Sequence, residues 1–292
     1  MKTPIVVVEP LPEVLIEPPV RLALLEDLGR AGDVTADATI PARQRSRGRI
    51  VAREAGRIAG IDAVRTVFKV LDPRMRLHVE AGDGCDVGPG DLIAEVVSET
   101  RTVLMGERVA LNFLGQLSGV ATVTAKMVAL CAGTHARVTC TRKTVPGLRA
   151  LQKYAVRCGG GFNHRFGLDD AILIKDNHIT AAGSVTAALT RARARSSHMV
   201  KIEIEVDNLA QLEEALAQRA DTILLDNMKP EQLREAVRIT AGRATLEASG
   251  SVNEKTIAAI AATGVDYISS GAITHSAKCL DVALDLLGDA QT

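Results

Sequence analysis

Tryptophan is absent, and two Tyr and four Phe make up the whole aromatic content of the 292 residues. Such a chain has few rings on which to stack bases, which argues against single-stranded nucleic-acid binding. Its core has to be filled by Val, Ile, Leu and Ala, a mixture that favours buried parallel strands covered by Ala-rich helices. Net charge is missing too: 35 basic residues balance 35 acidic ones. No global field draws the chain to nucleic acid or to an anionic membrane, so electrostatic function has to come from local segregation of charge. The five cysteines, Cys85, Cys131, Cys140, Cys158 and Cys279, are odd in number and no pair has metal-ligand spacing. Free thiols in a reducing cytoplasm are the expectation. No unbroken apolar run is long enough to span a bilayer. Glu9 and several prolines stand where a signal peptide would need apolar residues. A cytoplasmic protein is expected, with neither membrane nor nucleic acid as partner.

What is present suggests two folding units. With 47% hydrophobic residues, the chain can bury one large core, or one large and one small. The Pro-rich first twenty residues are expected to lie extended. A helix is expected over 22–28, turns over 29–37, a strand over 49–53, and two short strands between 75 and 97, giving a small α+β unit. The stretch 87–94 resembles the turn of a biotinyl or lipoyl carrier hairpin, but no lysine stands at its tip, so it reads as a tight hairpin. A long helix over 107–130 places Val109, Phe113, Leu117 and Val120 on one face. Beyond it, β-rich runs at 137–141, 171–174, 201–206, 221–225, 244–248 and 265–269 alternate with helical stretches, which implies right-handed βαβ units and a parallel sheet. No GxGxxG fingerprint follows the first strand, so a dinucleotide-binding sheet is disfavoured. A barrel fits better, with six strands instead of the usual eight.

The end of every expected strand carries groups able to bind an anion, a metal or a hydroxyl, and in a parallel barrel these ends share one face. Between 137 and 178 stand eight Lys or Arg against Asp169, Asp170 and Asp176. Arg149, Lys153 and Arg157 have the spacing of a solvated helix face. Arg142, Lys143 and Lys175 lie at strand ends, where an anionic ligand would offset their desolvation; Arg suits a carboxylate through its planar fork. Gly159-Gly160-Gly161 would let His164 and Arg165 approach a ligand, or His164 is a hydrogen-bonded structural residue. Ser249-Gly250-Ser251 and Ser270-Gly271-Ala272 have the chemistry of phosphate-binding loops late in a barrel. Glu205 and Asp226 could hold hydrated Mg²⁺ or ribose hydroxyls, or be structural carboxylates.

Three blocks carry a family resemblance: Thr141 through Arg149, Gly159 through Gly167, and Ile174 through His178. With Glu205-Val206-Asp207, Leu225-Asp226-Asn227, Glu247 through Gly250 and Gly271 through Ser276, they resemble the quinolinate phosphoribosyltransferase family of type II phosphoribosyltransferases. Cys140 departs from the pattern, which more often has an acidic residue there. The resemblance implies an α/β fold: an N-terminal α/β sandwich over 1–118, an irregular six-stranded α/β barrel over 119–276, and a C-terminal helix over 277–292 packing back on the sandwich. It implies transfer from phosphoribosyl pyrophosphate (PRPP) to quinolinate with decarboxylation, giving nicotinate mononucleotide, pyrophosphate and CO₂. Quinolinate would sit among Arg142, Lys143, His164, Arg165 and Lys175, with Arg108 reaching in from the partner of a homodimer, alone or within a higher oligomer. PRPP would use Glu205 and Asp226 around its ribose and Mg²⁺, and Ser249, Gly250 and Gly271 around its 5′-phosphate. Lys143, Lys175, Glu205 and Asp226 would be catalytic. The alternatives are a molybdate-transport-associated protein of the same fold, a nicotinate phosphoribosyltransferase, and a non-catalytic metabolite sensor.

Overall fold

The computed structural model describes residues 1–3 and 5–288. They form two compact units: 1–125 with 145–160 and the C-terminal segment from Ser276, and 126–144 with 161–275. In chain order the elements are α1 (Glu13–Leu28), α2 (Val34–Thr39), β1 (Arg45–Ala52), β2 (Gly56–Arg57), α3 (Ile61–Leu71), β3 (Arg76–Val79), β4 (Asp86–Val87), β5 (Leu92–Glu99) and α4 (Thr100–Leu130). There follow β6 (Arg137–Thr139), α5 (Arg149–Cys158), β7 (Ile172–Ile174), α6 (Asp176–Ala182), α7 (Val185–Arg195), β8 (Ile202–Val206), α8 (Leu209–Ala217) and β9 (Thr222–Asp226). The last are α9 (Pro230–Thr240), β10 (Thr245–Ser249), α10 (Ile257–Ala261), β11 (Tyr267–Ser269), α11 (Ala272–His275) and β12 (Val282–Leu287).

The first unit is built on an antiparallel sheet of order β12-β1-β5-β3. Its helix α3 is sharply two-sided, burying Ala63, Val64, Val67 and Phe68. Besides the turns expected over 29–37, of which Val34 onward forms α2, three expectations fail here. The first twenty residues are not all extended: α1 starts at Glu13 and runs through Pro18 and Pro19. Each proline forfeits an i→i−4 bond, but the carbonyls left over belong to Val14 and Leu15, both exposed to water. Ile16, Val20 and Leu24, at four-residue spacing, are buried and hold the helix. Second, α4 begins at Thr100, and by length and composition it is apolar enough to cross a membrane, with 56% of its most apolar stretch buried inside the fold. It is packed as a core helix, where small residues let neighbours come close: a Cβ on Gly106 would stand 2.7 Å from the Phe68 ring, and one on Gly119 only 2.1 Å from the Lys278 carbonyl oxygen. Third, the expected C-terminal helix is a strand: Val282–Leu287 pairs with β1, Ile50 opposite Leu284. The open edge of β1 offers a row of backbone partners, and that pairing overrides local preference. Residues 289–292 of the expected helix lie outside the described residues.

The second unit is a six-stranded parallel sheet of order β6-β11-β10-β9-β8-β7, the expected count and direction. All five residues of β8 are buried, as are Ile223, Leu224 and Leu225 on β9, as befits strands covered on both faces. Among the described residues β6 and β7 do not pair, so the curl of the sheet has a seam. The segment after Gly160 lies beside it: Phe162 N–H donates to Val138 O at 2.8 Å and Cys140 N–H to Phe162 O at 3.2 Å. Two of the helices between strands start on side-chain caps, Ser184 for α7 and Asn208 for α8. No disulfide joins the five cysteines.

Candidate active site

The carboxyl ends of the parallel strands surround a cavity of about 680 Å³. Every site residue expected from the sequence except Arg108 lines it. Arg142 and Lys143 follow β6, Lys175 follows β7, Glu205 and Asp226 lie on β8 and β9, Ser249 and Gly250 end β10, and Gly271 follows β11. His164 and Arg165 stand on the segment beside the seam.

At the cation-rich end the charges are fixed by named contacts. Lys175 Nζ meets Glu205 Oε2 at 2.7 Å, while its backbone N–H donates to His178 Nδ1 at 2.9 Å, anchoring the start of α6. Thr274 Oγ1 donates to the Lys143 carbonyl at 2.7 Å. A Cβ on Gly271 would stand 2.8 Å from Lys143 Cδ, so the absent side chain leaves room for the lysine. Arg165 donates through Nη1 to Ala171 O at 3.0 Å, and its Nε is buried with no partner among the described residues. Burial, and then Arg142 nearby, lower its pKa. A desolvated guanidinium with an unused donor suits an incoming carboxylate.

Beneath these cations lies a cluster that the sequence reading did not assemble. His164 Nε2 is 2.8 Å from Glu203 Oε2 and 3.7 Å from Glu247 Oε1, and its Nδ1 accepts the Arg165 backbone N–H at 2.7 Å. Glu203 and Glu247 are 7% and 4% exposed, and each has one carboxylate oxygen without a hydrogen-bond partner among the described residues. Burial, and then the Glu203 charge beside it, push the Glu247 carboxyl up to about 7. Their ligand atoms lie within 4.8 Å of one another, but Nε2, the nitrogen facing both acids, is already taken up by a hydrogen bond. The signal in the sequence was an acidic residue at alternate positions of a buried strand, Ile202-Glu203-Ile204-Glu205, which places both acids on one face.

The opposite end is built by backbone shape. Gly250 has φ +96°, and a Cβ there would stand 2.1 Å from Asn227 Oδ1. Asn227 and Ser251 also take positive φ, 53° and 52°. Asn227 N–H donates to Ser249 O at 3.0 Å and its side-chain amide to Asp226 Oδ2 at 2.6 Å. Glu205 and Asp226 thus each use one oxygen on a protein donor, and each carboxylate has a second oxygen outside that contact. Two such groups on neighbouring strands suit Mg²⁺, which keeps several waters and substrate oxygens in its shell.

The other basic residues lie elsewhere. Arg149, Lys153 and Arg157 are on α5 of the first unit, and Lys153 is only 3% exposed, so the solvated-face reading fails for it. Arg108 is on α4 of the first unit, beside Glu26, Asp27, Asn112 and Gln116 in a hollow of about 320 Å³.

The family model described as quinolinate phosphoribosyl transferase, C-terminal domain, matches residues 120–285, and that of the N-terminal domain matches 33–118. The chain belongs to the quinolinate phosphoribosyltransferase family. It is 43% identical over 262 residues to the probable nicotinate-nucleotide pyrophosphorylase (carboxylating) of Bacillus subtilis, covering 90% of each chain. It is 46% identical over 274 residues to the nicotinate-nucleotide pyrophosphorylase (carboxylating) of Mycobacterium leprae, covering 91% of this chain and 95% of that one. The crystal structure of NadC from Streptococcus pyogenes superposes with a TM-score of 0.93 at 41% identity, over 96% of this chain and 99% of the other. The α/β fold expected of the family is the fold observed.

Proposed function

We propose that this chain transfers the phosphoribosyl group of PRPP to quinolinate and releases CO₂, forming nicotinate mononucleotide and pyrophosphate. The observation that carries this reading is one cavity with two ends: cations able to hold a dicarboxylate, and serine–glycine loops with two carboxylates able to hold a phosphorylated ribose. Arg142, Lys143, Arg165 and Lys175 would hold the two carboxylates of quinolinate. Ser249, Gly250 and Gly271 would meet the 5′-phosphate with neutral donors, and Glu205 and Asp226 would face the ribose.

A pyridine nitrogen beside a carboxylate is a poor nucleophile, so positioning against the ribose carbon has to supply much of the rate. The nitrogen's lone pair forms the new bond as the carbon–oxygen bond to pyrophosphate breaks. Lys143 and Lys175 stabilise the charge gathering on the leaving group, and Glu205 and Asp226 stabilise positive charge on the ribose. The N-ribosylated ring is cationic. It accepts the electron pair of the carbon–carbon bond when the adjacent carboxylate leaves as CO₂, and the ring carbon then takes a proton. Mg²⁺ carried in with PRPP would be held by Glu205 and Asp226, and when bound it would neutralise pyrophosphate charge.

Quinolinate-dependent release of CO₂ from a mixture with PRPP tests the reading; no release with folded protein overturns it. Arg108, in the other unit, would serve a second copy of the chain. Mixed dimers of an Arg108→Ala chain and a Lys175→Ala chain should recover part of the activity that each homodimer lacks, and no recovery would reject the shared site.

A further inference from the structure

Both ring nitrogens of His164 are engaged by the protein itself. Nδ1 accepts the Arg165 backbone N–H at 2.7 Å, which requires that nitrogen to be unprotonated. Nε2, 2.8 Å from Glu203 Oε2, must then carry the proton and donate it. In this arrangement the imidazole is neutral, and neither nitrogen is aimed at a ligand. A strut results: the Glu203 carboxylate holds the ring, the ring holds the Arg165 main chain, and Ala171 O holds Nη1 of the Arg165 guanidinium. The same guanidinium keeps a buried Nε with no partner among the described residues, at the wall of the cavity. Glu247 closes the far side of the strut, its Oε1 3.7 Å from His164 Nε2.

We propose that Glu203, acting through His164 and backed by Glu247, is a positioning residue that fixes the Arg165 guanidinium for one carboxylate of the substrate. His164 is then part of the strut and not a ligand of the dicarboxylate, which leaves that task to Arg142, Lys143, Arg165 and Lys175. The inference rests on the proposed quinolinate activity for its kinetic consequence, and on geometry alone for the tautomer. It separates the two substrates, because the strut touches only the cation-rich end.

The experiment uses the full-length chain. Glu203→Ala should raise the KM for quinolinate about tenfold or more, the cost of one hydrogen bond that orients a charged group. The KM for PRPP should stay within about twofold. Glu203→Gln keeps an oxygen that can accept from Nε2–H and should restore most of the loss, which a purely electrostatic role for Glu203 would not allow. Nitrogen-15 NMR of the wild-type chain at neutral pH should show His164 as the neutral Nε2–H tautomer. An unchanged quinolinate KM in folded Glu203→Ala, or His164 observed as an imidazolium or as the Nδ1–H tautomer, overturns the proposal. Where Glu203→Ala does not fold, the wild-type tautomer decides. A wild-type chain that does not turn over quinolinate at all counts against the proposed activity, and the tautomer still tests the strut.

Discussion

The two ends of the cavity are held in shape by different physics. At the cation-rich end, side chains carry the work and other side chains restrain them: Glu205 on Lys175, and the Glu203–His164 pair behind Arg165. At the serine–glycine end the main chain carries it, in conformations that only a missing side chain or a strained one permits: Gly250 at φ +96°, with Asn227 and Ser251 also positive. Side-chain devices can be removed one at a time with the fold left standing. Backbone devices cannot, because a new Cβ moves the loop that carries the donors.

The largest effect expected from that contrast is at the cation-rich end. Lys175→Ala removes a charge from the reacting region and leaves Glu205, whose side chain is 10% exposed, without its counter-ion. The kcat/KM for quinolinate and PRPP together should fall by about two to three orders of magnitude, the usual cost of losing one preorganised charge stabiliser. Arg142→Ala should fall comparably, with circular dichroism unchanged in both. Near-normal turnover in the two variants would sink the site assignment. Gly250→Ala comes next. A Cβ 2.1 Å from Asn227 Oδ1, on a backbone at φ +96°, has to displace the Asn227 side chain and strain the loop by about 1–3 kcal/mol. PRPP affinity and thermal stability should fall together while quinolinate affinity holds. A variant that loses PRPP affinity with no stability change would break the contrast between the two ends.

Much of this was legible before the structure, for a physical reason. The middle residues of β9 and β10 are buried, so these strands read as separate apolar runs, and Asp226 and Ser249 mark where each run meets the cavity, as Lys175 does after β7. The first unit was harder. Val282–Leu287 has no strong strand pattern of its own and becomes a strand because β1 offers it an edge. Helix α1 persists through two prolines because Ile16, Val20 and Leu24 are buried. Within the site, the roles of Glu203 and Glu247 depend on strands distant in sequence meeting one histidine, and no local spacing announces that meeting.

The smallest effect, and the one that most directly probes what underlies the cation-rich end, is a pH dependence of stability. Burial, and then Glu203, raise the Glu247 carboxyl from 4.5 to about 7, so the folded state holds a proton that the unfolded chain releases earlier. The stability linked to that proton is fully present below about pH 4.5 and is lost as pH rises through about 7. The cost above neutrality should be on the order of 1–3 kcal/mol. Glu247→Gln carries no charge to ionise, so the variant should gain on the wild type between pH 5 and pH 8 in denaturant unfolding. Parallel curves for the two chains over that range would mean that the opposing pull of His164, 3.7 Å away through Nε2, holds Glu247 ionised in the folded protein as in the unfolded chain. The acids under the arginines would then be a balanced ion cluster and not a protonated one.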